Sequence, residues 1–180
     1  MPAPLLWLGA AALSIYATNE ANTAYLKRKR VLSRLPGESK HGDLVKVVPE
    51  NGSIVSCGIY GVLDHSGIWV DGNIYELNGN GLVRCISSNR FLQNRSGDTI
   101  YVACCQNHSP LKSRQAANRA VKHLYQVRDY HLIKQNCHRF VAEMLTGKTH
   151  SITSFSDLNE FLHEFFGKTI AWHQAKVNFR

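Results

Sequence analysis

The stretch Asn136–Gly147 reads NCHRFVAEMLTG, and it predicts a helix with a thiol in its first turn. Asn136 is a good N-cap, because its side-chain oxygen can accept from a backbone N–H that the first turn leaves unpaired. Gly147 can close the helix in the left-handed conformation. Cys137 lies three residues before Phe140, four before Val141 and seven before Met144, which is the spacing of one helical face. That face must turn inward, so Cys137 is expected at the edge of the core, near the positive end of the helix dipole. A thiol in that place has its pKa lowered. Two readings stand at this point: a buried structural cysteine, or an activated nucleophile.

A second stretch bears on the choice. Residues 63–81 read LDHSGIWVDGNIYELNGNG. Ser66–Val70 and Asn73–Asn78 predict two strands, joined by the strong two-residue turn signal Asp71–Gly72. If residue 70 faces 73, then 67 faces 76 and 65 faces 78. His65, Gly67, Trp69, Ile74 and Glu76 then share one side of the sheet. His65 and Glu76 become diagonal neighbours, within reach of long side chains. A surface ion pair is the plain reading. An imidazole oriented by a carboxylate is the chemical one.

The chain has 180 residues, with 21 Lys and Arg against 13 Asp and Glu, a formal charge of +8. That length suits one domain and an appendage. The charge points to an anionic partner or surface. Its one dense knot is Lys27, Arg28, Lys29, Arg30 and Arg34. No RNA-recognition, zinc-finger or helix-turn-helix signature goes with it, so a nucleic-acid partner is not expected. Five cysteines, at 57, 85, 104, 105 and 137, are odd in number and lack the spacing of a disulfide scaffold, which favours free thiols. Cys104, Cys105 and His108 make a poor zinc signature without a second ligand pair, so no metal and no cofactor are expected. Both cysteines read more simply as the end of a strand.

Residues 3–17, APLLWLGAAALSIYA, carry no charge but fall short of the ~20 residues that span a bilayer. Residues 1–25 are expected to form an apolar, membrane-associating helix that spans, lies on the surface with Trp7 as anchor, or is cleaved after its small residues. The basic knot after it would keep the rest of the chain in the cytoplasm. Residues 26–40 read as a basic linker through Leu35-Pro36-Gly37, and a folded domain is expected over 41–167, with a tail from 168 to 180. Further strands are expected in LVKVV (44–48), at Ile54–Val62, Leu82–Ile86 and Thr99–Cys104, and a short one at Tyr130–Ile133. A polar loop is expected over Asn89–Gly97. Ser109-Pro110 suggests a helix start, with Ala117, Ala120, Val121 and Leu124 as its stripe. Ser156 suggests the cap of a last helix, whose stripe is Leu158, Phe161, Leu162, Phe165 and Phe166 and whose end is Gly167. The fold class that fits is α+β: an antiparallel sheet of five to six strands packed on helices.

Taken together, GDLVKV, DHSGIWVDGNIYELNGNG and NCHRFVAEMLTG resemble the lecithin:retinol acyltransferase-like family. That family is a circularly permuted branch of the NlpC-type, papain-like thiol hydrolases. The matches are Gly42-Asp43-Leu44, His65 with Ile68 and Trp69, and Asn136-Cys137 with Phe140, over roughly residues 41–147. There are departures. Glu76 stands where many relatives carry a second histidine, His138-Arg139 where they carry Glu-His, and Trp69 where Tyr is common. The resemblance implies a permuted papain-like fold and a cysteine-nucleophile acyl transfer through an acyl-thioester. Cys137 would be the nucleophile, His65 the base and Glu76 the orienting group. The backbone N–H of Cys137 would serve the oxyanion, and Gln135 is a second candidate by type. Phospholipid or other lipid acyl esters at a membrane surface are the expected substrates. Peptide amides, as in NlpC-type enzymes, are the alternative, and a membrane-tethered binding module without turnover is the third.

Overall fold

The computed structural model describes residues 45–59, 63–95, 98–129 and 136–177. The expectations for residues 1–44, including Gly42-Asp43-Leu44, for Tyr130–Ile133 and for Gln135 lie outside them. The fold is α+β: a six-stranded open antiparallel sheet packed against helices. The elements run β1 (Ile54–Ile59), β2 (Leu63–Val70), β3 (Asn73–Leu77), β4 (Val83–Ile86), α1 (Ser88–Leu92), β5 (Tyr101–Cys104), α2 (Arg114–Lys122), α3 (Cys137–Thr146), α4 (Phe155–Phe166) and β6 (Ala171–Gln174). The strand order is β4-β3-β2-β1-β5-β6. No helix among the described residues is long and apolar enough to cross a membrane.

The β2–β3 hairpin has the register its turn demands, with Val70 opposite Asn73, Trp69 opposite Ile74 and Ile68 opposite Tyr75. Asp71 and Gly72 both take positive φ, 48° and 80°, which is what a two-residue turn of matching twist requires. Alternation along each strand then sorts the core into two layers. Ile54, Ile68, Val70, Leu77 and Ala103 face α2, α3 and α4. Val55, Cys57, Trp69, Ile74 and Val102 face the other way, where Phe91 of α1 covers them.

Helix α3 starts and stops where its sequence says. Asn136 Oδ1 accepts from the Arg139 N–H at 2.9 Å, and Gly147 closes the helix at φ 75° with its N–H on the Glu143 carbonyl. The helix is buried on most of its circumference: Cys137, His138, Phe140, Val141, Ala142, Met144 and Leu145 are all inside. Each large apolar side chain of that set contributes about 1.5–3 kcal/mol by leaving water. Arg119 of α2 reaches across and donates to the Met144 and Leu145 carbonyls at 2.7 and 2.9 Å. These groups have no acceptor role left in the helix itself, so the guanidinium caps them.

Several boundaries differ from the sequence reading. Ser109-Pro110 does not start a helix. Pro110 bridges Cys104 and Leu111 donates to the Ala103 carbonyl, so the chain first runs extended beside β5. Ser113 is the cap of α2, and its buried face is Ala116, Ala117 and Ala120, with Val121 exposed. Ser154, not Ser156, caps α4, through a reciprocal pair with Asp157 that satisfies two N–H groups at once. Of the expected LVKVV strand, the described residues 45–48 make one parallel bridge, Val47 with Ala175. The expected polar loop at Asn89–Gly97 begins as helix α1, and the expected tail carries β6, which pairs with β5 at the sheet margin. At the other margin Leu82 bridges Val127, and the backbone of Val83 bonds Gln126 and Tyr125.

Candidate functional site

His65 and Glu76 meet as the hairpin register requires. His65 Nε2 and Glu76 Oε2 are 2.7 Å apart, and both side chains are buried, Glu76 completely. Gly67 stands between them on the sheet. A Cβ there would lie 2.7 Å from the Ile74 side chain and 2.9 Å from the Tyr75 carbonyl, so this position must stay bare for the hairpin to close. The Phe91 ring tilts against the imidazole at 5.3 Å and walls it from below.

Two further residues complete the carboxylate's surroundings. Arg84, directly opposite Glu76 on β4, places Nε 2.7 Å and a terminal nitrogen 2.6 Å from Oε1. Arg95, just beyond α1, donates to Oε2 at 3.0 Å and stacks over Phe91 at 4.7 Å. It also donates to the Phe91 carbonyl and reaches the Cys57 sulfur at 3.6 Å. Burial works against the charge on Glu76, but the His65 bond, the Arg95 charge and the Arg84 bond outweigh it. They hold the carboxyl near 2, well below the ordinary 4.5. A charge this deep is tolerated because it is paired on both oxygens.

With Nε2 given to Glu76, Nδ1 is the atom of His65 that can exchange a proton with a thiol. Burial disfavours the charged ring. Charge and hydrogen bonding from Cys137, with those from Glu76, more than offset this and raise His65 from 6.5 to about 9. Cys137 responds in the opposite sense. Burial would raise its pKa, but the charges of His138 and His65 and the hydrogen bonds from both lower it well below the ordinary 9. Cys57, directly across β1 from His65, goes the other way, since burial pushes that thiol up to about 11. The two buried thiols nearest His65 are therefore pushed in opposite senses, Cys137 toward thiolate and Cys57 away from it; all five cysteines are free.

The sequence reading gave no site role to His138, Arg84 or Arg95. His138 Nδ1 lies 3.8 Å from the Cys137 sulfur and 2.9 Å from Ser66 Oγ. A signal for it was present: His138 precedes Val141 by three and Leu145 by seven residues, a second inward stripe beside that of Cys137. Arg84 follows from continuing the register, since Leu77 opposite Val83 sets Glu76 opposite Arg84. Arg95 had no such signal.

Cys104 ends β5 as expected, while Cys105 turns to Asn107 and Ser109, and His108 pairs with His173 at 3.1 Å. No group of three or more His, Cys, Asp or Glu side chains that could hold a metal comes together among the described residues. The arrangement around Cys137 can supply an ionised sulfur, a protonated imidazole and a fixed anion behind it, the equipment of nucleophilic catalysis. Neither a family model nor a curated protein matches the chain.

Proposed function

We propose that this chain is a thiol acyl-transfer enzyme of the lecithin:retinol acyltransferase-like kind, acting on lipid acyl esters. The observation that carries the reading is the placement of the groups: a buried sulfur in the first turn of α3, and a buried imidazole bonded to a fully buried carboxylate at 2.7 Å; the push of the sulfur toward thiolate and of the ring toward imidazolium agrees with it. In the reaction, the Cys137 proton passes to His65 Nδ1 and the sulfur attacks the ester carbonyl carbon. The tetrahedral oxyanion is met by the Cys137 backbone N–H at the start of α3. Its collapse breaks the C–O bond, and His65 gives its proton to the departing alkoxide. The acyl-thioester is then released to water, which makes a hydrolase, or to an amine or alcohol, which makes an acyltransferase. Glu76 keeps the ring in one tautomer and stabilises its charged form.

The excess of positive charge, +8 over the chain, supports an anionic interface as the place of work. An apolar N-terminal segment followed by a basic knot fits attachment to such a surface with the domain in the cytoplasm.

The test is intact-protein mass after incubation with mixed phospholipid vesicles and, separately, with cell-wall peptides. A fatty-acyl mass on Cys137, absent in Cys137→Ala and His65→Ala, is the expected result. A peptide-derived acyl adduct on the same sulfur transfers the reading to amide cleavage. No adduct from either source, with Cys137 labelled by iodoacetamide as slowly as Cys85, refutes the enzyme and leaves a binding module.

A further inference from the structure

The sulfur of Cys137 has two imidazoles beside it, and the mechanism above uses only one. His138 is buried at 6% exposure, with its Nδ1 at 3.8 Å from Cys137 Sγ and 2.9 Å from Ser66 Oγ. One ring nitrogen therefore serves two partners. If it carries no proton it accepts from the Ser66 hydroxyl and offers nothing to a thiolate. If it carries the proton it donates to both, and Ser66 must then turn its own hydrogen elsewhere.

The sheet provides for the second case. Ser66 lies directly opposite Ser56 on β1. Ser56 Oγ is fully buried and is without a hydrogen-bond partner among the described residues. Cross-strand neighbours stand about 4.5–5.5 Å apart at Cβ, so a side-chain rotation brings the two hydroxyls into reach. An orphaned hydroxyl in the core is costly, and native structures rarely keep one without a use. Here it is the acceptor that Ser66 needs when His138 Nδ1 is protonated.

We propose that His138 is a second catalytic histidine: in the Nδ1–H tautomer it donates to the Cys137 sulfur, so that the thiolate is held between two rings, with Ser66 and Ser56 fixing that tautomer from the sheet. The inference rests on Cys137 acting as a thiolate nucleophile. His138 gives up no proton in the cycle. It donates a hydrogen bond while the sulfur is negative. When the sulfur–carbon bond forms and the charge moves to the carbonyl oxygen, its N–H falls back on Ser66 Oγ. The groups that face His138 are Cys137 on its own helix, His65 across the sulfur, Asp64 and Ser66 from β2 and the Phe155 ring from α4 at 5.7 Å. Of these Asp64 is the carboxylate, and it interacts electrostatically with the ring.

The experiment is the rate of Cys137 alkylation by iodoacetamide in the full chain, from pH 5 to 9, with Cys85 as internal reference. His138→Ala should slow labelling at pH 6 by about ten- to hundredfold, the effect of one hydrogen bond to a charged group, and move the midpoint of the profile upward. His138→Asn should recover most of the rate, because the asparagine amide nitrogen can occupy the place of Nδ1. An unchanged profile in His138→Ala, or His138→Asn as slow as His138→Ala, overturns the inference. Wild-type Cys137 reacting no faster than Cys85 at pH 6 overturns the thiolate reading beneath it instead. Fast wild-type labelling that drops in His65→Ala alone leaves that reading standing and removes His138. Nitrogen-15 spectra of histidine-labelled wild type decide the same point without a variant: a protonated Nδ1 on His138 supports the proposal, and a bare one accepting from Ser66 refutes it.

Discussion

Replacing Glu76 by Gln removes one charge and almost no volume, which makes it the sharpest probe of the site. The wild-type carboxylate accepts on both oxygens, from His65 and Arg95 on Oε2 and from Arg84 on Oε1. All its neighbours are donors, so the amide nitrogen of Gln must face another N–H. Arg84 is 27% exposed at its side chain and can swing toward water, but Arg95, at 10%, stays buried without its anion. Removing one partner of a buried ion pair costs about 3–5 kcal/mol. The carboxyl's own pKa gives a second measure. Its fall from 4.5 to about 2 corresponds to about 3 kcal/mol, at about 1.4 kcal/mol per tenfold change in proton affinity. The two agree, and Glu76→Gln should lose about 3 kcal/mol at pH 7, read by urea unfolding. The sign of the pH dependence follows. The folded-state pKa lies below the unfolded one, so the stabilisation is fully present above about 4.5 and fades as pH falls toward 2. The gap between wild type and variant should therefore shrink over that window. Equal unfolding midpoints at pH 7, or a gap as wide at pH 2.5 as at pH 7, would refute the view that charge is what this residue contributes.

Other expectations are simpler. Gly67→Ala puts a methyl group against a backbone carbonyl that cannot move without opening the hairpin, and should cost about 1–3 kcal/mol in denaturant unfolding, with acyl transfer falling as His65 shifts. Arg119→Ala leaves the Met144 and Leu145 carbonyls without their donor and should destabilise by about 1–3 kcal/mol, with faster hydrogen exchange in the last turn of α3 and Cys137 reactivity unchanged. His65 contributes in the opposite pH sense to Glu76. Its folded pKa is raised, so its stabilisation is complete below about 6.5 and is lost as pH climbs through about 9. His65→Ala should accordingly differ less from wild type in unfolding at pH 10 than at pH 6.

How much of this was legible in the sequence depended on how local the determinant was. The hairpin turn fixed a register, and the register alone brought His65 to Glu76. The caps of α3 were legible for the same reason, since Asn136 and Gly147 act within one helical turn. The start of α2 misled because Ser109-Pro110 carries the right residue types, while the pairing of Pro110 and Leu111 with β5 is a contact between segments and took precedence. Strand β6 was missed because AWHQ has no clear alternation and owes its form to β5. The two arginines on Glu76 show the limit well. Arg84 was one step of register away, whereas Arg95 arrives from the far side of a short helix that is anchored in the core by Phe91. His138 was hidden by the reading of one inward stripe on α3, when the helix is buried on two.

The margins of the sheet have a consequence for handling this protein. An open antiparallel sheet is a template on which other chains can lay themselves, and fibril growth starts from such places. Here β6 is met by Val47 and β4 by the stretch around Val127, and the outward backbone groups of Val83 are already taken. Each outer strand is four residues long, shorter than the six- or seven-residue segments that seed cross-β stacking. Edge-to-edge pairing of this sheet should accordingly stay closed while the domain is folded, and cross-β association through these margins should begin only when those short flanking stretches peel away.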